Sequence, residues 1–176
     1  MRSRARAARL LSETELYTAA LRALMRRAHS VREMREYLES RAEDSEHVRG
    51  ILQKLREQRY LDDARYALDF ARIHAQSRRQ GRYRIARELR VRGVGDAHIE
   101  AALDAILPEE SETQLLRARI ARQRARLRGE FGPRQFASLY RSLLRAGFSA
   151  EAIRSELRRV SRGDPADLPS EAGEEN

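Results

Sequence analysis

The residues of this 176-residue chain whose types could do chemistry are four histidines, two pairs of adjacent acids and a large excess of arginine. His29, His47, His74 and His98 stand apart along the sequence and form neither an HxxxH nor an HExxH pattern, so no single helix turn offers two of them to one metal ion. They read as ordinary surface or partly buried side chains. Asp62-Asp63 and Glu109-Glu110 are sequence neighbours. Adjacent residues on a helix diverge by about 100°, so neither pair aims two carboxylates at one substrate atom. Helix capping is the better reading of the first pair; the second starts a helix or sits in the loop before it. Cysteine is absent, which excludes disulfides, cysteine nucleophiles and thiolate metal sites. No glycine-rich phosphate loop with its lysine and hydroxyl is present. The expectation is a protein that is not an enzyme, nucleases included, and that needs no metal or cofactor.

Arginine is left as the informative side chain. It supplies 35 of the 36 basic residues, Lys54 being the exception, and the formal net charge is +9. Such an excess favours an acidic partner, either a polyphosphate or an acidic protein groove. Two segments concentrate it. Between Leu116 and Arg128, Arg117, Arg119, Arg122, Arg124, Arg126 and Arg128 surround an apolar seam of Leu116, Ile120 and Leu127. Between Arg82 and Arg92, a helical wheel turns Ile85, Ala86 and Leu89 inward and Tyr83, Arg84, Arg87 and Arg90 outward. Like charges on one helix repel, so these segments cost stability that a binding role would repay. Tyrosine and arginine are the residue types enriched where interfaces carry their energy, and together they also suit phosphate contact with base stacking. The competing reading is a solvated face that only maintains solubility. These ten residues, Tyr83, Arg84, Arg87, Arg90 and the six arginines of the later segment, are the candidate contacts to a partner protein or to DNA.

The elements that must position them are helices. No proline precedes Pro108, alanine, leucine, arginine and glutamate dominate, and three-four apolar spacing recurs with no period-2 run to support a strand. The spacing predicts helices from Ser12 to Ala28, with Ser12 and Glu15 as a capping box, then after Ser30, then from Asp44 or Ser45. A fourth opens at Leu61-Asp62-Asp63 and carries Tyr66, Leu68, Phe70 and Ile73. Further helices are expected over Arg82–Arg92, from an Asp96 cap to Pro108, over Ser111–Arg128, after Pro133 to near Gly147, and over Ser149–Val160. No apolar run reaches the length of a membrane span, and polar residues follow the basic start where a signal peptide would be apolar. The cytoplasm is the expected location. Residues 161–176 carry two prolines and five acids against one arginine, the composition of a disordered acidic tail.

The nine helices fall into three sets of three. Met34, Ile85 and Leu139 share one position, and Leu38, Leu89 and Leu143 the next. In the following helix Val48, Ile99 and Ile153 correspond, as do Leu52, Leu103 and Leu157. The offsets between sets are 51 and 54 residues, and each middle leucine precedes its third-helix partner by ten. A constant spacing across an intervening turn marks a tandem helical repeat. The expected organisation is all-α, with a basic extension over 1–11, three-helix repeats over 12–59, 60–108 and 109–160, and the tail over 161–176.

Three stretches of this sequence resemble one known family, the RecX regulators of the RecA recombinase. Leu61-Asp62-Asp63-Ala64-Arg65-Tyr66-Ala67 resembles the signature LDD-x-R-[FY]-A. Gly81 to Val94 resembles G-x-x-R-I-x-x-E-L-x-x-[KR]-G-[VI], and Leu144 to Ser149 with Ile153 is similar to the last-repeat pattern L-x-x-x-G-F-S-x-x-x-I. Members usually have glycine before the aromatic of the first signature, where this chain has Arg59, so that turn is expected to be made differently. The resemblance covers about Glu15 to Val160. It implies a curved, elongated array of three three-helix repeats that binds the RecA filament on single-stranded DNA. It further implies inhibition of ATP hydrolysis, strand exchange and filament growth, with no cofactor. The alternative is a protein that acts directly on DNA through its arginine-rich surfaces. Expected partners are the RecA filament and single-stranded DNA, with double-stranded DNA as a further candidate, no membrane, and a monomeric chain.

Overall fold

A computed structural model describes residues 11–126 and 132–160 of the chain. Among them are nine α-helices: α1 (Glu13–Arg26), α2 (Val31–Glu39), α3 (Ser45–Glu57), α4 (Asp63–Gln76), α5 (Arg82–Val91), α6 (Asp96–Ile106), α7 (Glu109–Arg124), α8 (Pro133–Arg145) and α9 (Ala150–Val160). No strand occurs among the described residues; an isolated bridge joins Leu11 to Ala42, with the Leu11 amide donating to the Arg41 carbonyl at 2.8 Å. The rest of the basic extension, Leu127, Arg128 and the acidic tail lie outside the described residues.

The helices group as three three-helix repeats. Within the first, α1, α2 and α3 each pack on the other two, and within the third the same holds for α7, α8 and α9. All twelve residues of the periodic alignment are buried, from Met34 and Leu38 through Ile85 and Leu89 to Ile153 and Leu157. That is the outcome a true repeat requires. Each fully buried leucine or isoleucine contributes roughly 1.5–3 kcal/mol of transfer free energy. The first core gathers Leu16, Met34, Leu38, Ile51 and Leu55 among others, and the third gathers Leu116, Ile120, Phe136, Leu143 and Ile153. By backbone contacts the chain divides into two compact units, the described part of Met1–Ala67 with Leu89–Ile99, and Leu68–Glu88 with the described part of Glu100–Asn176.

Several boundaries differ from the sequence reading, each for a local reason. α1 ends at Arg26, before His29, whose ring Nδ1 lies 3.0 Å from the Arg27 carbonyl. α7 begins at Glu109, because Pro108 supplies the carbonyl that accepts from the Glu112 amide at 2.9 Å. The acids Glu109, Glu110 and Glu112 then occupy its positive first turn. α7 stops at Arg124, four residues short of the expected end. α6 is capped by Gly95, whose carbonyl accepts from His98 and Ile99, and Asp96 is its first helical residue. In α4 the buried seam is Ala67, Ala71, His74 and Ala75, while Ile73 is 55% exposed. The His74 ring stacks 3.7 Å from that of Phe70 on the same helix.

The turn at Arg59 is the glycine turn after all. Arg59 adopts φ 58°, the left-handed conformation, and the Tyr60 amide reaches back to the Leu55 carbonyl at 2.8 Å. A non-glycine residue there costs about 1–2 kcal/mol of backbone strain.

Candidate partner-binding surfaces

The glycines of two of the recognised stretches meet at the junction of α5 and α8. The Gly81 amide donates to the Ala146 carbonyl at 2.8 Å and the Tyr83 amide to that of Gly147 at 3.0 Å. Gly147 has φ +92° and lies against the Arg84 backbone, so a Cβ at Gly147 overlaps Arg84 and one at Gly81 overlaps the Gly147 carbonyl. Arg84 closes this junction. Its Nε donates to Glu88 Oε1 at 2.9 Å and its Nη1 to the Arg145 carbonyl at 3.1 Å. Behind it, His74 Nδ1 lies 2.6 Å from Gln80 Oε1 and 3.5 Å from Glu88 Oε2.

The outward face of α5 is therefore unequal. Tyr83 is 65% exposed, and Arg87 is exposed with no ion-pair partner among the described residues. Arg90 is exposed but its Nε holds Asp96 Oδ1 at 2.7 Å. Arg84 is half-buried in the junction. On this face Tyr83 and Arg87 have side chains that no other described residue engages.

On α7 the arginines sort by stripe. Arg117 makes a bidentate pair with Glu156 of α9, both bonds 2.7 Å, and this guanidinium holds the largely buried Glu156 carboxyl below the usual carboxylate range. Arg119 turns into the protein. Its Nη1 donates to the Arg79 carbonyl at 2.8 Å, satisfying the chain end that leaves α4, while its Nε is buried without a hydrogen-bond partner. Burial, followed by the nearby guanidinium groups of Arg84, Arg79 and Arg122, pushes Arg119 below the ordinary arginine range. Arg122 is exposed with no ion-pair partner among the described residues, and so is Arg126, in the turn that follows the helix. Arg124 is exposed as well, and Arg128 lies outside the described residues.

The sequence reading missed a cleft between α7 and α8. Arg126, Arg134 and Arg145 line it together with Gln123, Gln135, Ser138 and Ser142 over Leu139, in a volume of about 500 Å³. Arg134 sits in the first turn of α8, where no acid offsets it. A cation there opposes the helix dipole, and that misplacement was the legible signal.

In the first unit Glu33 is the centre of a polar cluster. Glu33 accepts from Arg27 at 3.2 Å, from the Ser30 amide at 3.1 Å and from the Tyr66 hydroxyl at 3.3 Å. Asp62 caps its own helix through the Arg65 amide at 3.0 Å. Asp63 instead reaches the Val31 amide at 2.9 Å, at the start of α2. The acidic pair is thus architectural. Among the described residues no three His, Asp or Glu side chains are grouped to hold a metal ion, and no helix is long and apolar enough to cross a membrane.

Fold and surface together define a helical-repeat protein whose distinguishing chemistry is exposed arginine. The family model described as "RecX, second three-helix domain" matches residues 62–103. The chain is 38% identical over 138 residues to the regulatory protein RecX of Halorhodospira halophila, covering 78% of this chain and 83% of that one. It is 36% identical over 156 residues to the regulatory protein RecX of Deinococcus radiodurans, covering 89% and 73%. The crystal structure of RecX from Lactobacillus salivarius superposes with a TM-score of 0.75 at 21% identity, over 84% of this chain and 96% of that one, a likeness of fold. This chain belongs to the RecX family of regulatory proteins.

Proposed function

We propose that this protein regulates the RecA recombinase, binding the RecA filament on single-stranded DNA and restraining its ATP hydrolysis, strand exchange and growth. Membership of the RecX family carries the reading, supported by three recognised stretches that each do structural work in the fold. The contacts to the partner come from surface side chains: Tyr83, Arg87 and Arg90 on α5, and Arg122, Arg124 and Arg126 at and beyond the end of α7. Arg84, Arg117 and Arg119 act behind them, holding helices in place through Glu88, Glu156 and the Arg79 carbonyl. The protein works as a cytoplasmic monomer without a cofactor, and double-stranded DNA is a weaker partner than the filament. RecA assembled on single-stranded DNA, assayed for ATP hydrolysis with increasing amounts of this protein, tests the reading. Hydrolysis should fall. The variant Tyr83→Ala/Arg87→Gln should need at least tenfold more protein, about 1.4 kcal/mol of affinity, with its circular dichroism unchanged. Hydrolysis indifferent to saturating wild-type protein overturns the proposal.

A further inference from the structure

In the last repeat Arg122, Arg126 and Arg134 have no acid partner among the described residues. Along α7, Arg119, Arg122 and Arg126 are spaced by three and four residues and share a face, and the Arg126 amide still bonds the Gln123 carbonyl at 3.2 Å, so the helical course persists to that residue. Seven residues at the helical rise give a track on the order of 10 Å. At one end, burial and then the guanidinium groups of Arg84, Arg79 and Arg122 depress the proton affinity of Arg119. At the other, Arg126 lines the α7–α8 cleft beside Arg134 and Arg145, and the described residues that line this cleft include no carboxylate. Cations crowded this way repel one another, and Arg134 adds a charge that the α8 N-terminus opposes. Such crowding costs stability rather than supplying it.

We infer that this track, Arg122, Arg126, Arg134 and Arg145 with Gln123 and Ser138, is a binding site for the phosphodiester backbone of a single-stranded nucleic acid. The inference rests on the regulator reading only in naming DNA as the strand at hand. Arginine forks match phosphate oxygens bidentately. Gln123, Gln135, Ser138 and Ser142 offer neutral donors and acceptors to sugars and base edges, over the one apolar side chain, Leu139. A cleft between two packed helices admits one strand. A duplex presents its phosphates on a convex cylinder about 20 Å across and is the weaker fit to a cleft of about 500 Å³.

A fluorescein-labelled oligo(dT) 20-mer titrated by anisotropy at several salt concentrations tests the site. The variant Arg122→Gln/Arg126→Gln/Arg134→Gln should bind at least tenfold more weakly, and its slope of log affinity against log salt should fall by about 2, near 0.7 per phosphate lost. Arg35→Gln/Arg49→Gln/Arg56→Gln removes the same charge from the α2–α3 groove, where Glu39 and Glu57 share the lining, and should change affinity less than threefold. Equal losses in the two variants overturn the site, as does unchanged affinity in the first. Tighter binding to a duplex of the same length also overturns it, as does displacement of oligo(dT) by polyglutamate at equal charge, which makes the cleft a seat for acidic protein. RecA ATP hydrolysis, read in the same preparations, separates the two ideas. Wild-type inhibition without oligo(dT) binding removes this site and keeps the regulator; binding without inhibition does the reverse.

Discussion

The first and last repeats are built on one core pattern and carry opposite surfaces. Met34, Leu38, Val48 and Leu52 in one, and Leu139, Leu143, Ile153 and Leu157 in the other, are buried at equivalent positions. Over 12–59, nine carboxylates stand against ten basic residues, and some pair directly, Arg27 with Glu33, Arg32 with Glu36 and Arg49 with Glu46; over 109–160, six carboxylates stand against twelve arginines. Around the last core, Glu156 holds both Arg117 and Arg159, while Arg122, Arg126 and Arg134 have no such partner among the described residues. A shared core thus specifies the repeat, and the distribution of carboxylates decides which repeat has charge to offer. Counting arginines alone does not distinguish them.

The comparison breaks first in the cores. Leu38→Ala, Leu89→Ala and Leu143→Ala should each lower unfolding free energy by about 2–5 kcal/mol, since each removes a fully buried side chain and leaves a cavity. Chemical denaturation followed by far-UV circular dichroism measures this. A leucine whose truncation is silent does not belong to the repeat, and its alignment with the other two fails.

A smaller effect sharpens the difference in charge. Arg117 holds the Glu156 carboxyl below its ordinary range, so the folded state binds that proton less readily than the unfolded chain. The resulting stability is present above the ordinary glutamate pKa and is lost as pH falls through the depressed folded value. Glu156→Gln should lower the melting temperature at neutral pH and flatten the acid limb of the stability curve below about pH 4.5. An unchanged acid limb means that Arg117 is as free as Arg122, and the surface of the last repeat must be redrawn.

The smallest effect lies in the first unit. Arg59 spends left-handed strain that glycine avoids, at the cost of glycine's larger unfolded-state entropy, so Arg59→Gly should gain about 0.5–1 kcal/mol. A loss on equilibrium denaturation instead gives the Arg59 side chain a contact worth more than the strain.

Much of this was legible in the residues. The nine helices, the three-fold repeat and its twelve core positions follow from apolar spacing, and the Ser12–Glu15 box marks the first start. Family resemblance rested on stretches that prove to be architectural: Asp63 bonds another helix's first amide, and Gly81, Arg84 and Gly147 form one junction. Availability was not legible. A wheel shows that Arg84 and Arg90 lie opposite Ile85, but whether a guanidinium is spent depends on Glu88 four residues on, on Asp96 beyond a turn, and on a carbonyl at Arg145 that only the fold brings near. The α7–α8 cleft escaped for the same reason, since Arg126 and Arg134 belong to different helices and wheels are drawn one helix at a time.

The central claim is that the chain recognises a recombinase filament more strongly than the DNA within it. Co-sedimentation with RecA assembled on single-stranded DNA, set against the same DNA alone at the same salt, measures that directly. The account predicts binding to the filament at least tenfold tighter than to bare DNA, a difference of about 1.4 kcal/mol. Equal affinity for the two would contradict it and leave a protein that acts on DNA alone.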